Sequence, residues 1–142
     1  MKRPYTLIKF LFIAIAAFCL FSCSKKDNLT PSVAAITGKW NITADTSTTS
    51  GYAPYIIVGI NSPYFQFNAD GTGTQKNNIS APDDLAYFTY KISKDTIAFN
   101  YTSPYTAMPT AIIKKLTSKN LVLEYSINTP TLVNTEHVYM SR

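Results

Sequence analysis

The chain has 142 residues, with 13 Lys and Arg against 8 Asp and Glu, a formal charge of +5, and two cysteines. This length suits one domain of about 100–150 residues and leaves no room for a second functional module. Lys2, Arg3 and Lys9 supply much of the basic excess from the N-terminus, so the charge does not point to a nucleic-acid partner.

Those three charges introduce an apolar run over residues 10–21 that ends at Ser22, the positive, hydrophobic, then cleavable order of a secretory signal peptide. The run is too short for a helix crossing ~30 Å of hydrocarbon. Residues 1–22 are therefore expected to be removed. At the junction, Leu20-Phe21-Ser22-Cys23 resembles the lipobox of bacterial lipoproteins, with an aliphatic residue at Leu20 and a small one at Ser22 before the cysteine. The resemblance implies diacylglycerol and palmitate chains on Cys23, loss of Cys19 with the signal, and a lipid anchor in the bacterial outer membrane. Either face of that membrane, periplasmic or surface, is compatible with Ser24 and the charges that follow it. With Cys23 acylated, no disulfide, CxxC redox pair or cysteine-based zinc site is available. Ten basic side chains then face eight acidic ones, a charge of about +2.

Residues 23–35 are polar and contain Pro31, and they read as a lipidated N-terminus and flexible tether. The domain occupies residues 36–142. Its apolar residues recur with period two: Trp40, Ile42 and Ala44 alternate with Lys39, Asn41, Thr43 and Asp45; Phe65 and Phe67 alternate with Tyr64, Gln66 and Asn68. The same holds for Phe88, Tyr90 and Ile92, for Ile97, Phe99 and Tyr101, and for Leu121, Leu123, Tyr125 and Ile127. Period two places each first set on one sheet face. Strands are predicted at 38–46, 54–60, 63–69, 72–79, 86–93, 96–102, 109–116, 120–128 and 134–141. Asp70-Gly71, Lys94-Asp95 and residues 117–120 supply close turns between them, which favours antiparallel hairpins. Eight or nine such strands bury their apolar faces by closing into a barrel or by stacking two sheets, and periodicity alone does not choose.

Gly38-Lys39-Trp40 is similar to the Gly-x-Trp that opens the first strand of lipocalins and other calycins. Phe65 through Gly73, Tyr90 through Ile97, Ile113 through Leu123 and the closing Tyr139-Met140-Ser141-Arg142 resemble segments of the small lipocalin-like lipoproteins of Bacteroidetes. The resemblance spans residues 36–142. It implies an all-β, small antiparallel barrel of eight to nine strands, closed at a base built by Gly38, Trp40 and Arg142, with the guanidinium packed over the indole.

Catalytic signals are sparse. His137 is the one histidine, Glu136 should point to the opposite face from it, and no serine sits in a GxSxG elbow. Glu124 falls on the polar side of its strand. Asp70, Asp83 and Asp84 form no spaced ligand set of the HExxH or EF-hand kind, and no glycine-rich phosphate loop is present. The reading is a protein that is not an enzyme and uses no metal or cofactor.

Binding has more support. Nine of the ten tyrosines lie beyond the signal, and tyrosine joins a flat apolar face to a hydroxyl that needs a partner when buried. Tyr90, Tyr101 and Tyr125 share core parity and either line a partly polar pocket or fill the core. Tyr52, Tyr55 and Ile57 form either a lip over an open end or a loop leading into a buried strand. Tyr105 and Met108 lie on a second long connection at the same end. Two functions follow: a carrier or sensor of a small apolar or amphipathic molecule at the envelope, or a solid barrel that docks an envelope protein as accessory subunit or inhibitor. In cells fed labelled palmitate, Cys23→Ser is expected to abolish incorporation, whereas Cys19→Ser should leave it intact; equal labelling in both would refute the anchor.

Overall fold

A computed structural model describes residues 27–58, 63–76, 85–102, 109–130 and 132–142. Within them the period-two segments form nine antiparallel strands: β1 (Gly38–Thr49), β2 (Tyr55–Val58), β3 (Tyr64–Phe67), β4 (Thr72–Lys76), β5 (Leu85–Ser93), β6 (Thr96–Tyr101), β7 (Thr110–Leu116), β8 (Asn120–Asn128) and β9 (Val133–Ser141). Each strand from β3 to β9 pairs with the next, and β1 pairs with β9 along almost its whole length. That last ladder closes the sheet into a barrel and removes two exposed edges. β2 and β3 run along the same edge of β1, β3 beside Gly38 to Asn41 and β2 beside Ala44 to Ser47, so together they make one stave.

The hairpins have local causes. Gly71 takes φ +82°, and the Asp70 carboxylate accepts from the Thr72 amide at 2.9 Å and its hydroxyl at 2.7 Å. These bonds hold the Asp70 carboxyl below the usual carboxylate range. Lys94 takes φ 56° in the turn between β5 and β6, and Thr117 Oγ1 accepts from the Asn120 amide at 2.8 Å between β7 and β8. All three turns lie at one end of the barrel.

That end is sealed. Ser32 caps a single helical turn, α1 (Val33–Ile36), by accepting from the Ala35 amide at 3.2 Å. Ile36 and Trp40 are fully buried, and the Trp40 indole N–H donates to the Ile36 carbonyl at 2.6 Å. The Arg142 guanidinium lies 4.1 Å from the Trp40 ring centroid and donates to the carbonyls of Ser118, Thr37 and Ala35. Gly38 adopts φ +124° beneath it, and a Cβ there would meet Arg142 Nη1 at 3.4 Å. Gly38, Trp40 and Arg142 thus meet at this end.

The segment expected to be a flexible tether is packed against this base from Asp27 onward. Leu29 donates its amide to the Leu116 carbonyl at 2.8 Å. The Asp27 carboxylate accepts from the Ser118 amide at 3.0 Å and from its hydroxyl, which lowers the Asp27 pKa. The sequence cue was Ser32 before an Ala-rich turn, outweighed by the polarity of the residues around it.

Above the base the barrel is filled by rings. Phe67 meets Tyr90 edge-on at 5.1 Å, and Phe88 meets Phe99 edge-on at 5.3 Å, with Phe65 stacked on Phe67 at 5.7 Å. Gly73 makes this possible: a Cβ there would fall 2.4 Å from the Phe88 ring and 2.5 Å from the Gln66 carbonyl oxygen. Its role is close packing as well as the turn beside it. Arg142→Ala removes a cation–π contact and three charged hydrogen bonds and is expected to cost about 1–3 kcal/mol. Arg142→Lys should recover part of that loss, because it keeps the charge but not the planar fork. Thermal unfolding decides it; an unchanged midpoint in the alanine variant would show the base contact to be idle.

Candidate functional site at the polar end of the barrel

Inward and outward faces follow from the register. Trp40 and Ile42 point in, but between Ile42 and Ala44 the pairing with β9 slips by one residue: Ile42 faces Met140 and Ala44 faces Tyr139. This bulge inverts the parity of the second half of β1. Asp45, read from alternation as an outward residue, is paired with buried Val138 and turns inward; Ala44, read as inward, turns out. Ser47 and Thr49 follow Asp45 to the inside, opposite Glu136 and Asn134 of β9.

The barrel interior therefore changes character along its axis. Its lower part is apolar and close-packed. At the upper end Asp45, Ser47, Thr49, Asn134, Glu136, Tyr101, Tyr125 and Gln75 share the inward face. Asn134 Oδ1 accepts from Ser47 Oγ at 2.9 Å and from Thr49 Oγ1 at 3.4 Å. The Tyr101 hydroxyl donates to Gln75 Oε1 at 2.5 Å.

Below this satisfied ring sits a less settled group. Burial pushes the Glu136 carboxyl up to about 7, and a hydrogen bond with Asp45 and that residue's charge add to the rise. Asp45 Oδ1 is buried without a hydrogen-bond partner. Tyr125 is 6% exposed; its hydroxyl bonds to no described residue and senses the charges of Tyr101, Glu136 and Asp45. Desolvation raises the Tyr125 pKa well above the usual phenol value, and burial raises that of Tyr101. A carboxyl pair, one of whose oxygens is unpaired, thus meets the Tyr125 hydroxyl above the aromatic core.

The expected binding residues divide between the two ends. Tyr101 and Tyr125 stand at this polar end. Tyr90 does not: its hydroxyl donates to the Asn68 carbonyl at 2.8 Å at the sealed end, where burial raises its pKa, so it belongs to the base. Tyr55 and Ile57 carry inward parity opposite Ser47 and Asp45 at the rim, yet they are 66% and 45% exposed, and Tyr52 beside them is 73% exposed. Tyr105, Met108 and Cys23 lie outside the described residues. Asp45 and Glu136 were not singled out as site residues. Their signal is tertiary, since an acid in an alternating strand reads as outward unless a bulge is known.

His137 is on the outer wall. Its Nε2 lies 2.9 Å from Glu124 Oε2, which also takes Lys114 Nζ at 3.4 Å. No serine hydroxyl bonds to His137 among the described residues, so the serine contact that a nucleophilic triad requires is not made there. A depression of about 120 Å³ lined by Ile112, Glu124 and Ser126 lies on the same wall. It is small beside the ~300–1,000 Å³ of typical ligand pockets. Among the described residues no group of three or more His, Cys, Asp or Glu is placed to hold a metal ion.

A family model described as a lipocalin-like domain matches residues 36–123, more than half of the chain. No curated protein and no solved structure matches it.

The raised Glu136 carboxyl has a definite consequence for stability. Because the folded pKa stands above the ordinary 4.5, the proton is held more tightly in the fold than in the unfolded chain. The stabilising contribution of protonated Glu136 is complete below about pH 4.5 and is lost as pH rises toward 7. Glu136→Gln is expected to match the parent in thermal stability near pH 4.5 and to exceed it at pH 8. A difference that stays constant across that window would show that Glu136 titrates as a solvated acid.

Proposed function

We propose, from the premise that the chain belongs to the lipocalin-like domain family, that it is a non-enzymatic, lipid-anchored envelope protein whose barrel holds a small amphipathic molecule at its open end. The observation that carries this reading is the asymmetry of the interior. One end is plugged by α1, Trp40 and Arg142, whereas the other holds the buried, unpaired Asp45 Oδ1 near the Tyr125 hydroxyl, above rings and beneath an exposed aromatic and aliphatic rim. A buried polar atom without a partner costs free energy, and a molecule that satisfies it recovers that cost.

The anchor fits the same geometry. Cys23 precedes Asp27 by four residues, a reach of at most roughly 14 Å, and Asp27 is bonded to Ser118 at the base. Lipid on Cys23 therefore holds the sealed end toward the bacterial outer membrane, and the mouth opens away from it, on whichever face the protein resides. Several acyl chains suffice for stable attachment without a further membrane-binding surface.

A second reading has its own support. All four residues of β2 are exposed, with Ile56 and Val58 on the outside, and among the described strands β2 pairs with β1 alone. An apolar edge of this kind suits addition of a strand from an envelope protein, which is the interaction-module function.

Mass spectrometry of small molecules extracted from the natively purified protein separates the two. A reproducible compound in the parent, lost in Tyr125→Ala and reduced in Tyr55→Ser, is expected for the carrier. An extract indistinguishable from that of Tyr125→Ala would refute the carrier and leave the interaction module.

A further inference from the structure

Asp45 and Glu136 approach one another inside the barrel although both are acids. No described lysine, arginine or histidine lies within ion-pair distance of either. The groups that face them come from separate staves: Asp45 from β1, Glu136 from β9, Tyr125 from β8, and Tyr101 from β6. Tyr101 is engaged with Gln75, so it is not free to satisfy the carboxyls. What is missing is a donor, and one that brings positive charge.

We propose that Asp45, Glu136 and the Tyr125 hydroxyl form the headgroup site for a small organic cation, an alkylammonium carrying an apolar body. This rests on the carrier reading and gives its ligand a chemical class. An ammonium group offers three donors at one centre, which matches Asp45 Oδ1, the Glu136 carboxylate and the phenolic oxygen of Tyr125. An anion would meet two carboxyls. A neutral alcohol would leave the ionised pair without a countercharge. Hard divalent cations prefer about six or more oxygen ligands, and the described residues assemble no such set.

The surroundings suit the remainder of such a molecule. The rings of Phe88 and Phe99 fill the core beside Tyr101, with Phe88 and Tyr101 centroids 5.4 Å apart. Tyr55 and Ile57, whose inward parity places them across from Ser47 and Asp45, offer an apolar wall at the rim. Aromatic faces near an ammonium add a cation–π attraction.

Protonation couples to occupancy. Burial and Asp45 push the Glu136 carboxyl up to about 7, whereas an alkylammonium, like lysine, stays charged to about pH 10. Binding then favours the ionised carboxylate, releases a proton and strengthens as pH rises from 5.5 to 8.

The test is isothermal titration of the full-length protein in detergent with hexylammonium, hexanoate and hexanol, using protein-free micelles of the same detergent to correct for partitioning. Hexylammonium is expected to bind the parent at pH 8 and to bind at least tenfold more weakly to Glu136→Gln and Asp45→Asn. The parent should also lose about tenfold at pH 5.5. Thermal melts of both variants exclude unfolding as the cause. Equal hexylammonium affinity in parent and variants, or hexanol binding as tightly as hexylammonium, overturns the cationic headgroup. If hexanol or hexanoate binds in a Tyr55-sensitive manner while hexylammonium shows no dependence on the acids, the carrier survives and the cation site does not.

Discussion

One extra residue in β1 decides what the interior of this barrel is. Thr43 is passed over in the pairing between β1 and β9, and its hydroxyl donates to the Tyr139 carbonyl at 3.1 Å beside the slip. Below the bulge, the inward residues of β1 are Trp40 and Ile42 and the core is hydrocarbon. Above it they are Asp45, Ser47 and Thr49. A bulge also increases local twist and coiling, which suits a strand that must serve β3, β2 and β9 in one closed sheet. Without the slip, Ala44 would face inward, Asp45 would face water, and the upper interior would lose one of its two acids.

Closure and filling impose the rest. A small closed barrel must fill its interior with side chains, and here four phenylalanines and three tyrosines do most of that work. Gly73 yields its side-chain volume so that Phe88 can lie across β4. The base is a second point of economy in space: the indole of Trp40, the turn of α1 and the guanidinium of Arg142 satisfy one another's polar groups while excluding water. Because these contacts consume the lower end, polarity that is left unpaired is displaced to the upper end. The inward polar side chains are thereby concentrated at the end opposite the Trp40–Arg142 base.

The outer wall illustrates a different use of charge. Glu124 accepts from both Lys114 and His137 in a partly solvated setting, where such pairs contribute modestly to stability. The interior acids have no such relief. Glu124 thus has two basic neighbours, whereas Glu136, two strand positions from buried Val138, lies beside another acid that with burial raises its pKa.

Much of this protein was written in local sequence. Period-two alternation located the strands, and Asp70-Gly71 and residues 117–120 marked turns because their side chains bond their own backbone. Gly38, Trp40 and Arg142 were legible as a base through their likeness to lipocalins. Other features had no local signal. Nothing in the spacing of Ile42, Ala44 and Asp45 announces a bulge, because a bulge is a mismatch between two strands distant in sequence. Nor does Tyr90 differ in pattern from Tyr101 or Tyr125; which tyrosine reaches the polar end depends on strand direction and stagger around the closed sheet. The sequence by itself determined an all-β chain, its turns and its apolar faces, since those depend on neighbours along the chain. Only the tertiary structure decided that Asp45 and Glu136 meet, because bringing two acids together inside a barrel requires closure of β1 on β9 and a shift of register between them.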